Sequence, residues 1–208
     1  MSLFDRVSLN GLIKSHLQTF YDDGYFRLHR KKKTPFSDKF IFIIIPSLIA
    51  ACLVVIGLFI SIQYLSIILT CLSIFSGLLF GLLSLVLSLI NNTKTTYNTL
   101  IKIPEPDSVI QKEILDTEIK YRISKELFIN IGFAIFLSLV AIVFTLLTRL
   151  KPESLIQIFK NNGCYPLLKD IFIISTNFIS YFIISVFILT ILMVLKRFYL
   201  LFDNEVKD

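Results

Sequence analysis

Four long stretches of this chain contain no Asp, Glu, Lys, Arg or His: Phe40–Ile62, Ile67–Ile90, Leu127–Thr148 and Ile171–Leu195. A hydrocarbon core of about 30 Å is crossed by roughly 20 helical residues, so each stretch is long enough to span it. A helix buried in a soluble protein is seldom so apolar for so long. The pattern predicts an all-α polytopic membrane protein with four transmembrane helices. No segment between or outside the spans exceeds 39 residues, close to the lower limit for a domain that folds alone, so one helical unit is expected. Met1–Lys39 lacks a continuous apolar core followed by small residues, which predicts that the first span acts as an uncleaved signal anchor.

Charge sets the expected orientation. Four spans place the tail (1–39), the middle loop (91–126) and the C-terminus (196–208) on one side, which carries 17 of the Lys and Arg residues against 4 in the other loop (149–170). By the positive-inside rule both termini face the cytoplasm, and the expected location is a bacterial inner membrane. Arg27, Arg30, Lys31, Lys32 and Lys33 precede the first span. There they can bind anionic headgroups, each contributing about 1 kcal/mol. This topology accounts for the net charge of +6, so membrane lipid is the expected partner and no direct contact with nucleic acid is inferred.

The tail segment Ser2–Tyr21 is amphipathic: Leu9, Ile13, Leu17 and Phe20/Tyr21 recur every three or four residues. It reads either as a helix lying in the inner headgroup layer or as a docking helix for a cytoplasmic partner. Gly24 and Pro35 interrupt it, and Pro46 stands in the second turn of span one. Gln63-Tyr-Leu-Ser66 reads as a tight outer turn between spans one and two.

Span two holds the most specific local pattern. Ser73, Gly77 and Gly81 are spaced i, i+4, i+8, and Ser84 extends the same side. Small residues at this spacing let helix backbones approach closely. Packing within the chain, a subunit interface and a pore lining all fit, and a homo-oligomer interface is the reading adopted.

After span two, Tyr97, Leu100, Ile101 and Ile103 continue an apolar helical stripe until Pro104-Glu-Pro106, where Asp107 is a good N-cap. From Ser108 a second stripe containing Ile110, Ile114 and Tyr121 runs helically into span three. The expectation is a cytoplasmic helical hairpin over 91–126, with mixed charges that favour local i,i+4 pairs. Its apolar stripe, with Leu9, Ile13 and Leu17 of the tail, is the candidate partner-docking surface. In the outer loop, Leu155–Phe159 reads as a short surface helix and Asn161-Asn-Gly163 as a turn.

Chemistry is scarce. Membrane enzymes and proton-coupled transporters need ionisable groups at depth, and the spans have none. Asn130 and Gln63, near span ends, are expected to be hydrated, and Asn177 to hydrogen-bond across helices. His16 and His29 have no cysteine or carboxylate cluster at ligand spacing, so no metal is inferred. No phosphate-binding, metalloprotease or nucleophile-elbow motif is present. The three cysteines, Cys52, Cys71 and Cys164, make no disulfide framework. A non-enzymatic protein without a cofactor is expected. It would be either a sensor or scaffold that engages a cytoplasmic partner, or a pore-forming effector that leaks ions. The polar residues of span four, Ser175, Thr176, Asn177, Ser180, Ser185 and Thr190, are spread around the helix, which favours the scaffold.

With two hairpin-like pairs of spans, the Ser-Gly-Leu-Leu-Phe run of span two (Ser76–Phe80) and a helical cytoplasmic hairpin, the chain resembles the small four-span membrane proteins of bacterial anti-phage operons. Among these it is most similar to the membrane subunit of the Kiwa system. It also resembles, less closely, the four-span effectors attached to retron or cyclic-nucleotide defence systems. The Kiwa resemblance implies a homotetramer in the inner membrane that detects phage attack with a cytoplasmic DNA-binding partner. That partner would meet the tail and the 91–126 hairpin. The resemblance carries over no catalytic residue.

Overall fold

The computed structural model describes residues 11–13, 15–16, 36–104, 107–149 and 165–206, with side chains from residue 42 and to residue 202 in the outermost helices. Four helices follow in chain order: α1 (Phe36–Val55), α2 (Ile62–Leu100), α3 (Ser108–Leu147) and α4 (Tyr165–Val206). Residues 11–13 and 15–16 of the tail are also helical, and no strand occurs among the described residues. The segments 17–35 and 150–164 lie outside the described residues, and with them Leu17, His29, the basic cluster Arg27–Lys33, Leu155–Phe159 and Cys164.

Three helical segments are long and apolar enough to cross a membrane: Ile62–Leu100, Ser108–Leu147 and Lys169–Phe202. In α1 the described apolar helix, Phe42–Val55, is shorter than a span. At 1.5 Å per residue the 39 residues of α2 and the 40 of α3 each rise about 60 Å. That is twice a hydrocarbon core, and the surplus lies in the polar end of α2 (91–100) and the charged start of α3 (108–126).

The end of α1 corrects the sequence reading. The first span does not run helically to Ile62, and Gln63–Ser66 is not the turn. Gly57 takes the left-handed conformation (φ 78°), the N–H of Leu58 bonds to the carbonyl of Leu53, and the N–H of Gly57 bonds to that of Val54, each at 3.0 Å. This six-to-one and five-to-two pairing is the Schellman C-cap, which favours glycine at the left-handed position. The chain is non-helical over 58–61. Ser61 then caps α2, its Oγ accepting from the N–H of Tyr64 at 3.4 Å. Gln63–Ser66 is already the first turn of that helix. The other boundary is set by Asp107, whose Oδ1 accepts from the N–H groups of Val109 and Ile110 at 3.1 and 2.8 Å.

The chain divides into two compact units. One comprises Met1–Asp38, Leu78–Ile135 and Thr190–Asp208, and the other Lys39–Gly77 and Phe136–Leu189. In the first, Val86, Leu127, Ile131, Val194 and Leu201 are buried. In the second, Pro46, Ala50, Ile60, Leu72, Ala141 and Phe187 are buried, and Phe75 meets Phe187 edge-on at 6.4 Å.

Helix α3 is the inner one: half of its apolar window is buried, against 17% for α2 and 22% for α4. Thr117, Ser124, Ile131, Ser138 and Thr145 recur every seven residues on α3, and all are buried, as are Ala134 and Ala141. Lipid tails are as apolar as leucine, so helices associate there through close van der Waals packing, which small residues permit. The hydroxyls add no unpaired donors, because Ser124 and Thr145 bond back to the carbonyls of Lys120 and Ala141 at 2.8 and 2.6 Å.

The second unit also satisfies the backbone of the α1–α2 connector. Asn177 Oδ1 accepts from the N–H of Ile60 at 3.1 Å, Arg149 donates to the carbonyl of Ile60 at 2.7 Å, and Tyr181 Oη donates to that of Leu58 at 2.7 Å. Asn177 thus bonds across elements, and Arg149 and Tyr181 do so with it. Non-helical backbone is tolerated among apolar surroundings only when protein groups meet its hydrogen bonds. We expect Asn177→Leu to lower the free energy of unfolding in micelles by about 1–3 kcal/mol, the cost of leaving a buried donor unmet. Gln63→Leu, at an exposed position, should be neutral. Equal effects of the two in an SDS titration would contradict this role.

Candidate functional site

The first unit contains a buried polar cluster. It begins in the tail, where Leu12 and His16 lie one turn apart. A Cβ placed on Gly132 of α3 would stand 3.9 Å from Leu12 Cδ1, so Leu12 packs across that glycine. His16 is 3% exposed. Its ring stacks on Phe133 with centroids 3.8 Å apart, and its Nδ1 donates to Oδ1 of Asn130 at 2.8 Å.

Asn130 is therefore not a hydrated residue at a span end. It is fully buried, because the tail supplies the partner that water would otherwise provide. Ile13, the one described member of the expected tail stripe, is 38% exposed. The face that packs is Leu12–His16, at the edge of that stripe. Leu9 lies with Leu17 outside the described residues.

Arg197 of α4 completes the cluster. It is buried, and its guanidinium lies 3.7 Å from the Glu126 carboxylate, one turn before Asn130 on α3. Burial dominates the ionisation of His16. The Asn130 bond offsets that in part and the Arg197 charge adds to it, so the imidazole pKa is lowered to about 4. At neutral pH the cluster therefore holds one ion pair and a neutral histidine. No signal singled out Arg197 in the sequence, since a cation two residues past a span usually reaches for headgroups. The clue to His16 was its place one turn after Leu12, beside Ile13, on an otherwise apolar face.

Beside this cluster an open groove of about 820 Å³ lies in the same unit. Asn92, Thr93 and Thr96 of α2 line one wall, Lys112, Asp116 and Lys120 of α3 the other, and Leu201 of α4 closes the floor. Thr93 and Thr96 spend their hydroxyl protons on carbonyls of their own helix at 2.8 and 3.2 Å, so they offer lone pairs to the groove. The lining mixes both charges with acceptors, which suits a polypeptide surface better than one small anion or cation. Of the expected docking residues, Ile110, Ile114 and Tyr121 are half-buried. Nearby, Arg122 pairs with Glu118 at 2.9 Å, one helical turn apart.

Ser73, Gly77, Gly81 and Ser84 are all exposed, and a Cβ added to either glycine would meet nothing within 4 Å. The small residues used within the chain are those of α3, and the stripe of α2 is left open. Cys52 and Cys71 are free and exposed. Among the described residues no group of three His, Cys, Asp or Glu could hold a metal ion. No protein-family model, curated protein or solved structure matches this chain.

Three predictions follow from this geometry. Glu126→Ala removes the carboxylate 3.7 Å from a guanidinium whose side chain is 9% exposed, and should cost about 1–3 kcal/mol in unfolding experiments. Glu118→Ala removes an exposed i,i+4 pair and should cost under about 0.5 kcal/mol. Gly77→Leu with Gly81→Leu should leave the monomer folded, since the added atoms meet nothing within it. Any fall in assembly mass by mass photometry would then report a contact between chains, and an unchanged mass would exclude that face.

Proposed function

We propose that this chain is a non-enzymatic membrane platform, the sensor or scaffold subunit of a bacterial anti-phage complex. It is placed in the inner membrane with both termini cytoplasmic and with α1 as a fourth span. In this reading it self-associates through Ser73, Gly77, Gly81 and Ser84. It engages a cytoplasmic, DNA-binding protein through the tail and the 91–126 hairpin. The observation that carries the proposal is the surplus length of α2 and α3 and the groove between them. Two helices that continue well past what a bilayer needs, lined by Asn, Thr, Lys and Asp around an open groove, make a surface suited to a soluble partner. The defence context rests on the resemblance described above, and the orientation rests on the distribution of Lys and Arg.

The alternative is a pore-forming effector. A conduction path needs a polar face open along a helix. Of the polar residues of α4, Thr176, Asn177, Ser180, Ser185 and Thr190 are buried within the chain, and Thr176, Asn177 and Ser180 donate to carbonyls of their own helix. That occupation favours the platform.

The test is purification of the tagged protein from native membranes in mild detergent, with identification of co-purifying chains. The platform reading expects a defined oligomer with a stoichiometric soluble partner. Ile114→Asp with Tyr121→Asp should release that partner without dispersing the oligomer. Retained binding would exclude the stripe as the docking site. A clean oligomer without a partner that passes ions in liposomes would replace the platform with the pore.

A further inference from the structure

The tail is docked on α3 beside a titratable side chain, His16, whose burial and whose neighbour Arg197 disfavour a second positive charge. His16 is enclosed: Phe133 covers a ring face at 3.8 Å, and Asn130 Oδ1 takes the Nδ1 proton at 2.8 Å. The charged groups on that side are Arg197 from α4 and, 3.7 Å from it, Glu126 from α3. Among the described residues, the Glu126 carboxylate of that cluster already faces a guanidinium. A proton arriving on the imidazole would place a second cation in the field of Arg197, on a side chain that is 3% exposed. Undocking restores hydration to the imidazolium at the expense of one hydrogen bond, one stacking contact and the packing of Leu12 on Gly132.

We propose that the tail helix around His16 is an acid-released latch, docked on α3 at Asn130 and Phe133 while the imidazole is neutral and undocked once it takes a proton. Release bares the Asn130–Phe133 face of α3. A local fall in pH at the inner face of the membrane would thereby change the surface offered there. The latch is independent of the partner reading, because it concerns one intrachain contact.

The direction of the effect follows from linkage. The undocked imidazole titrates near 6.5 and the docked one near 4, so docking is at its strongest well above pH 6.5. It weakens as the pH falls through the interval between the two values and levels off below the lower one. With those two values the docking equilibrium falls about 30-fold between pH 8 and pH 5.

Hydrogen exchange of the full-length protein in nanodiscs, corrected for the intrinsic pH dependence of exchange, reads this directly. Amides at 11–16 should lose about 30-fold of their protection by pH 5, while amides at 127–138 of α3 keep theirs. In His16→Gln, whose amide still reaches Asn130 but does not titrate, the protection of 11–16 should not depend on pH. The latch is overturned if protection at 11–16 is constant from pH 8 to pH 5, if His16→Gln loses it in parallel with the natural chain, or if α3 loses protection together with the tail. Should His16→Gln be undocked at every pH, the natural chain decides alone: a midpoint between 4 and 6.5 confined to 11–16 supports the latch, and any other profile refutes it.

Discussion

The interaction on which the rest of this structure depends is the hydrogen bond of the backbone in surroundings that offer no water. An N–H or carbonyl without a partner there costs several kcal/mol, so a chain this apolar must be helical or must bring side chains to its irregular parts. Both solutions are present. Long helices take up nearly all of the described residues, and the break between α1 and α2 is closed by a glycine cap, a serine cap and three side chains from α4 and the turn after α3. Asn177, Arg149 and Tyr181 are polar for the sake of that segment's backbone.

The same economy explains the inner helix. A soluble bundle buries large aliphatic side chains because water drives them in, whereas helices in lipid gain mainly by fitting closely. The buried face of α3 accordingly interleaves Thr, Ser and Ala with larger residues such as Leu127 and Ile131, and the Ser124 and Thr145 hydroxyls are tied to their own helix. Its one strongly polar stretch, Glu126 to Asn130, is completed by groups from two other segments, His16 and Arg197. A buried polar network of this kind makes position specific, since each member is costly without the others.

Much of this was legible in the amino-acid order. Charge-free runs identify three membrane-length helices because ionisable groups are too costly at that depth, and Pro104-Glu-Pro106-Asp marks the break before α3. Gly57 was not legible as a stop signal. Inside an apolar run a glycine resembles a packing residue, and the more polar Gln63–Ser66 looked like the turn. Ser73, Gly77 and Gly81 drew attention by regular spacing, yet the chain packs on the less conspicuous sevenfold series from Thr117 to Thr145. Asn130 looked hydrated because its partner lies 114 residues away, a separation that no local pattern encodes. The groove walls were visible as polar helix extensions, but their convergence depends on how α2, α3 and α4 pack.

The three bonds that close the α1–α2 connector have a consequence for biosynthesis. Their side chains lie 89, 117 and 123 residues further along the chain than the backbone groups they meet. When the first hairpin leaves the ribosome, none of those partners has been made. The backbone groups of Leu58 and Ile60 must wait without these partners until α3 and then α4 are delivered. The first hairpin is consequently the last part of the protein to settle, and a chain truncated before Asn177 would keep it unfinished.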